Sequence, residues 1–145
     1  MTRDELARAI VALPGWRWMP EMRVTLRRRT HTGVPAGSFV RLLCLTRRRV
    51  WLAYDERGRT MATLPAVAVQ RNTLGALDLT DAATGGCLLV LLSQGEHRVS
   101  ATCRPDGVWW VGERRTCGVS GEGATLAEAC ARVALALGRW PDGGS

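Results

Sequence analysis

Arginine is the side chain with the most chemistry to offer in this sequence. The 145 residues carry 20 cationic side chains, and every one of them is Arg. A guanidinium is a permanently charged planar fork, suited to phosphates, carboxylates and aromatic faces. Three groups stand out. Arg27, Arg28 and Arg29 end one expected strand, Arg47, Arg48 and Arg49 sit on a hairpin tip, and Arg57 and Arg59 flank a further turn. Asp55 and Glu56 are the only acids within residues 22–60, so much of the net charge of +7 is concentrated there. If the fold brings these groups together, they form an electropositive patch for DNA or RNA, or for the acidic face of a protein. The plainer reading is that charged turns and edges keep strands soluble and unpaired.

Thiol and imidazole chemistry has weaker support. Cys44, Cys87, Cys103, Cys117 and Cys130 contain no C-x-x-C spacing, so neither zinc nor a disulfide framework is implied. Cys87 is expected a turn or two into a helix, where the dipole lowers a thiol pKa, with His97 the nearest base. Its neighbours Leu88, Leu89 and Val90 favour a packed, inert thiol instead. His31 and His97 have no partner at the spacing of a triad or a metal site. The carboxylates Asp4, Glu5, Asp78, Asp81, Asp106 and Glu128 fall where helix caps and turns explain them. The expectation is a protein with no catalytic constellation, cofactor or metal.

The elements that position the arginines follow from periodicity and punctuation. Thr2 to Glu5 has the spacing of a capping box, Leu6, Ala9, Ile10 and Leu13 form an apolar stripe, and Pro14-Gly15 ends that helix. Trp16 and Trp18 then share a face if the chain is extended, as core or as a stacking platform. Met22, Val24 and Leu26 alternate with Arg23, Thr25 and Arg27, the pattern of a half-buried strand with a cationic outer face. "FVRLLCLT" and "VWLAYD" read as a hairpin closed over Arg47 to Arg49, and "RTMATLP" as the next strand.

Farther on, Thr80 or Asp81 can cap a helix whose packed face is expected to hold Ala82, Ala83, Gly86, Leu89 and Val90. "RVSATCR" and "VWWVGE" form a hairpin over Pro105-Asp106-Gly107, and "RTCGVSGEG" adds a third strand or a bulged edge. Thr125 and Glu128 repeat the capping-box spacing ahead of the series Leu126, Ala129, Cys130, Val133, Ala134 and Leu137. The apolar run Cys87 to Leu92 is too short to span a bilayer, and "MTRDELARAI" lacks the apolar core of a secretory signal.

Three resemblances add to these readings. "VPAGSFVRLL…VWLAYDERGRTMATLP" is similar to small Src-homology-type barrels, over residues 22 to about 70. "LDLTDAATGGCLLVLLSQG…GVWWVGE…GEGATLAEACARVALAL", together with "LPGWRWMP", resembles the α-β-α sandwich domain of small phage and prophage proteins, a family with no agreed activity. The order helix, three strands, Gly-rich turn and Ala-rich helix is also similar to the double-stranded-RNA-binding domain. That resemblance implies phosphate-gripping cations at the start of the last helix. Thr125-Leu126-Ala127-Glu128 supplies none, and Glu122 and Glu128 carry the opposite sign.

The resulting expectation is an α+β chain in three segments. Residues 1–21 hold a helix and a Trp-bearing connector, 22–72 a small Src-homology-like β-barrel, and 73–145 an α-β-β(-β)-α sandwich. The functional expectation is a non-catalytic phage or prophage accessory protein. It would act in the host cytoplasm, away from membranes, by binding a host protein or nucleoprotein complex in defence or nucleic-acid processing. Direct binding of DNA or RNA through Arg27, Arg28, Arg29, Arg47, Arg48, Arg49, Arg57 and Arg59 is the alternative. A virion component with a self-association surface is a third, and the oligomeric state stays open.

Overall fold

The computed structural model describes residues 1–29, 34–53, 61–65, 75–94, 98–113 and 118–141. Helix α1 (Arg3–Val11) starts at the expected cap. The Thr2 hydroxyl accepts from the Glu5 N–H at 3.2 Å, and the Glu5 carboxylate accepts from the Thr2 N–H at 2.7 Å. That backbone donor holds the Glu5 carboxyl below its ordinary pKa. The helix buries Leu6, Ala7 and Ile10, while Ala9 and Leu13 are only half-buried.

The strands form two antiparallel sheets. The first joins β1 (Arg23–Leu26), β2 (Phe39–Leu45), β3 (Arg49–Ala53), β4 (Met61–Pro65) and β5 (Gly75–Leu77) in the order β4-β3-β2-β1-β5. Its inward residues Val24, Leu26, Val40, Leu42, Val50, Leu52 and Leu77 are all buried. Each such side chain stabilises the fold by about 1.5–3 kcal/mol relative to exposure. No closed barrel is shown among the described residues, where this stretch forms a five-stranded antiparallel sheet. β4 and β5 are its two edges, and no ladder joins them among the described residues.

The second sheet joins β6 (Val99–Cys103), β7 (Trp109–Glu113) and β8 (Ser120–Gly123) in sequence order. Helix α2 (Ala82–Leu92) precedes it and helix α3 (Leu126–Leu137) follows it, the chain order read from the sequence. α3 packs on β7 and β8, and α1 and α2 pack on α3. "GEG" belongs to the third strand read from "RTCGVSGEG", and its glycines face α3. A Cβ on Gly121 would lie 2.6 Å from the Ala129 carbonyl oxygen, and one on Gly123 would lie 2.6 Å from the Glu128 Cβ. Their absence of side chains lets β8 press against the helix.

α2 turns the opposite way from expectation. It buries Thr84, Gly85, Cys87, Leu88, Leu91 and Leu92, whereas Ala82, Ala83 and Val90 are exposed. The helix is apolar on most sides, so periodicity does not select a face. Close approach does: a Cβ on Gly85 would meet the Ala127 nitrogen and the Leu126 Cβ at 3.1 Å.

The chain divides into two compact units, one made of residues 1–17 with 79–145 and the other of 18–78. The N-terminal helix, assigned from sequence to a segment of its own, thus belongs with the C-terminal elements. Trp140 ties the two stretches of that unit together. Its indole Nε1 donates to the Ile10 carbonyl at 2.8 Å, its backbone N–H donates to the Pro14 carbonyl at 2.8 Å, and its ring lies 5.4 Å from that of Trp16.

Candidate functional site

Two of the three arginine groups, those described, do not converge. Arg27, Arg28 and Arg29 are exposed just beyond the end of β1, where Leu26 pairs through its N–H with the Ser38 carbonyl at 2.9 Å. Arg47 and Arg48 form the exposed tip between β2 and β3, at the far end of β2. From Ser38 to Thr46 the strand runs about 25 Å at the usual rise per residue. The first two groups therefore occupy opposite ends of one sheet. Arg57 and Arg59 lie outside the described residues, as do Cys117, His31 and His97.

The β2–β3 tip is held by Thr46. Its hydroxyl accepts from the Arg49 N–H at 3.0 Å, and its backbone N–H donates to the Arg49 carbonyl at 2.9 Å. The threonine side chain thus takes the place of a backbone turn acceptor, and both central positions are left to arginine.

A different cationic surface lies on the outer face of the same sheet. The register sets Arg23 opposite Arg41, Thr25 opposite Phe39, Arg41 opposite Ala53 and Cys44 opposite Trp51. With side chains alternating along each strand, Arg23, Thr25, Phe39, Arg41, Arg49, Trp51 and Ala53 share the face turned away from Val24, Val40 and Leu52. Leu43 is the extra residue of a bulge between the Leu42 and Cys44 pairings. Among the described residues only four large apolar side chains are exposed, and two are here: Phe39 at 49% and Trp51 at 38%. No carboxylate belongs to the outward positions of β1, β2, β3 or β5.

Two of these arginines are held in place. The Arg23 guanidinium lies over the Phe39 ring, 4.3 Å from its centroid, and 3.7 Å from the carboxylate of Asp78. Arg41 donates from Nη1 to the Glu21 carbonyl at 2.7 Å. Like charges directly opposite across a strand pair repel, and the Asp78 carboxylate beside Arg23 offsets that repulsion here. The individual residues were visible in sequence as strand positions, and their shared parity (Phe39 with Arg41, Arg49 with Trp51) is the signal that identifies the surface. The sequence reading instead weighted consecutive arginines.

The remaining candidates stay separate. Cys87 and Cys130 are buried free thiols, and burial pushes the Cys130 thiol up to about 12. Cys44 and Cys103 are exposed free thiols. Trp16 packs against Trp140, which fits the core reading of that residue. Glu122 lies on the exposed side of β8 and pairs with Arg104 at 3.2 Å. Glu128 is buried, pairs with Arg3 and accepts from the Ala124 N–H at 3.1 Å. No cluster of His, Cys, Asp and Glu among the described residues could hold a metal ion. No described helix is long and apolar enough to cross a membrane. No family model matches this chain, and no curated protein or solved structure matches it either.

Proposed function

We propose that this protein binds nucleic acid directly through the outer face of its five-stranded sheet. The observation that carries the reading is the cross-strand pair Arg23 and Arg41, set between exposed Phe39 and Trp51 on a face whose strands present no carboxylate. A phosphate on this face is drawn by the positive potential of Arg41 and Arg49 and accepts charge-assisted hydrogen bonds from a guanidinium. Arg49 on the same face and Arg47 and Arg48 at the adjoining hairpin tip extend the positive surface along one direction. Arg27, Arg28 and Arg29 form a second cationic end, which suits a polymer better than a small anion.

Fluorescence anisotropy with labelled DNA and RNA, repeated from low to moderate salt, tests this. Three to five phosphate contacts give a log–log salt slope between about −2 and −4.5. No binding at low salt would end the proposal. Retention of an acidic host protein from nuclease-treated lysate, with no nucleic-acid binding, would move the reading to protein docking. The accessory role implied by the phage-like resemblance would then become the leading one.

A further inference from the structure

We infer that the ligand of this face is single-stranded nucleic acid, with two non-adjacent bases stacked on Phe39 and Trp51. This rests on the reading above that the face binds nucleic acid, and it deepens that reading by naming the form of ligand. Phosphates alone are offered equally by duplexes and single strands, and arginines at strand ends or hairpin tips do not distinguish them. Exposed rings do. A duplex hides the flat faces of its bases, so an aromatic side chain on a broad sheet face gains nothing from it. A single strand can turn those faces onto the rings.

The register gives the spacing. Phe39 and Arg41 are two residues apart on β2, Arg41 is opposite Ala53, and Ala53 and Trp51 are two residues apart on β3. The Cα atoms of Phe39 and Trp51 therefore sit on neighbouring strands about 13 Å apart along the strand direction and about 5 Å across it, or about 14 Å in all. Stacked nucleotides advance by ~3.4 Å along one strand. Phe39 and Trp51 thus cannot take neighbouring stacked bases, and the strand between them passes over Arg41. The Arg23 guanidinium already covers one face of Phe39. The base at that end therefore stacks on the Arg23–Phe39 layer rather than on a bare ring, a guanidinium plane also accepting a base. At the other end Arg49 lies two residues from Trp51 on the same face, placed for the phosphate beyond the second base.

The test uses the full chain with three probes: an eight-nucleotide oligothymidylate, a two-nucleotide one, and a duplex of mixed sequence. The octamer should bind more tightly than the duplex. The dinucleotide, too short to reach both rings, should bind far more weakly than the octamer. Trp51→Leu and Phe39→Leu should each weaken octamer binding by about 5- to 150-fold, the range for one stacked base, and change duplex binding by less than about twofold. Trp51→Phe, which keeps a ring, should retain most of the preference, and thermal melts should show all three variants folded. Equal affinity for octamer and duplex, or equal losses on both in the leucine variants, would overturn the inference while leaving nucleic-acid binding intact. Absence of binding to every probe would instead remove the function on which it rests.

Discussion

Arg41 donates its guanidinium N–H to the backbone carbonyl of Glu21 at 2.7 Å, and Glu21 is the one described non-glycine residue with positive φ, at 80°. The left-handed turn at Glu21 also presents its own N–H to the Leu42 carbonyl at 2.7 Å. Backbone strain and the aim of a surface arginine are thus joined in one residue. Strain of this kind costs about 1–3 kcal/mol and persists where surrounding structure holds it. Glu21→Gly should raise stability to chemical denaturation, by about 1 kcal/mol, because glycine adopts this conformation without a Cβ clash. The carbonyl stays in place, so nucleic-acid affinity should change little.

Charge removal on the sheet face should act through salt. Arg41→Gln and Arg49→Gln are each expected to weaken single-strand binding at low salt and to reduce the magnitude of the log–log slope by about 0.7, the share of one phosphate contact. Anisotropy titrations at several salt concentrations read both quantities. An unchanged slope in both variants would place the phosphates elsewhere.

Thiol reactivity should sort by burial. At pH 8 a disulfide-exchange reagent should label Cys44 and Cys103 in the native protein, whereas Cys130 should react only on unfolding. Burial raises the folded pKa of Cys130 to about 12. The unfolded thiol ionises from about pH 8.5. Between those values the unfolded state has lost a proton that the folded state keeps, so stability falls as pH rises. Denaturation midpoints from pH 8 to 11 should decline less steeply in Cys130→Ala than in the parent.

The contact between β8 and α3 predicts a sharp penalty for one methyl group. Gly121→Ala brings a Cβ to 2.6 Å from the Ala129 carbonyl oxygen and 3.0 Å from the Arg132 Cβ. Backbone must shift to admit it, at about 1–3 kcal/mol. Gly118→Ala is the comparison on positive φ alone, since a Cβ there meets nothing within 4 Å while the backbone sits at φ 64°. Denaturant midpoints of the two variants separate crowding from conformational strain.

Much of this architecture was legible residue by residue. The alternation of Met22, Val24 and Leu26 with Arg23 and Thr25 specifies β1 and its faces, and both are as read. Thr2 and Thr125 cap their helices as their spacing predicts, each accepting from a Glu N–H three residues on. The packed side of α2 was not legible, because Leu88, Leu89, Val90, Leu91 and Leu92 satisfy any face, and only the Gly85 contact with α3 selects one. The strand order of the first sheet was not legible either. Local pattern finds strands, but the placement of β1 between β2 and β5 is a long-range pairing with no local signature. That same pairing order decides which arginines are neighbours. Arg23 and Arg41 are eighteen positions apart by number and opposite in space, whereas Arg29 and Arg47, equally far apart, lie at opposite ends of β2.

The division of the chain also sets a timetable for synthesis. Residues 18–78 are contiguous and can collapse as soon as they leave the ribosome, before α3 is made. Helix α1 emerges before that unit, yet its buried Leu6, Ala7 and Ile10 belong to a unit completed only when α3 and the Trp140 clasp arrive. At ~5–20 residues per second that interval is on the order of 10 s. Helix α1 therefore waits for a partner made much later in the chain, and a nascent chain stalled between α1 and residue 126 would carry it unseated.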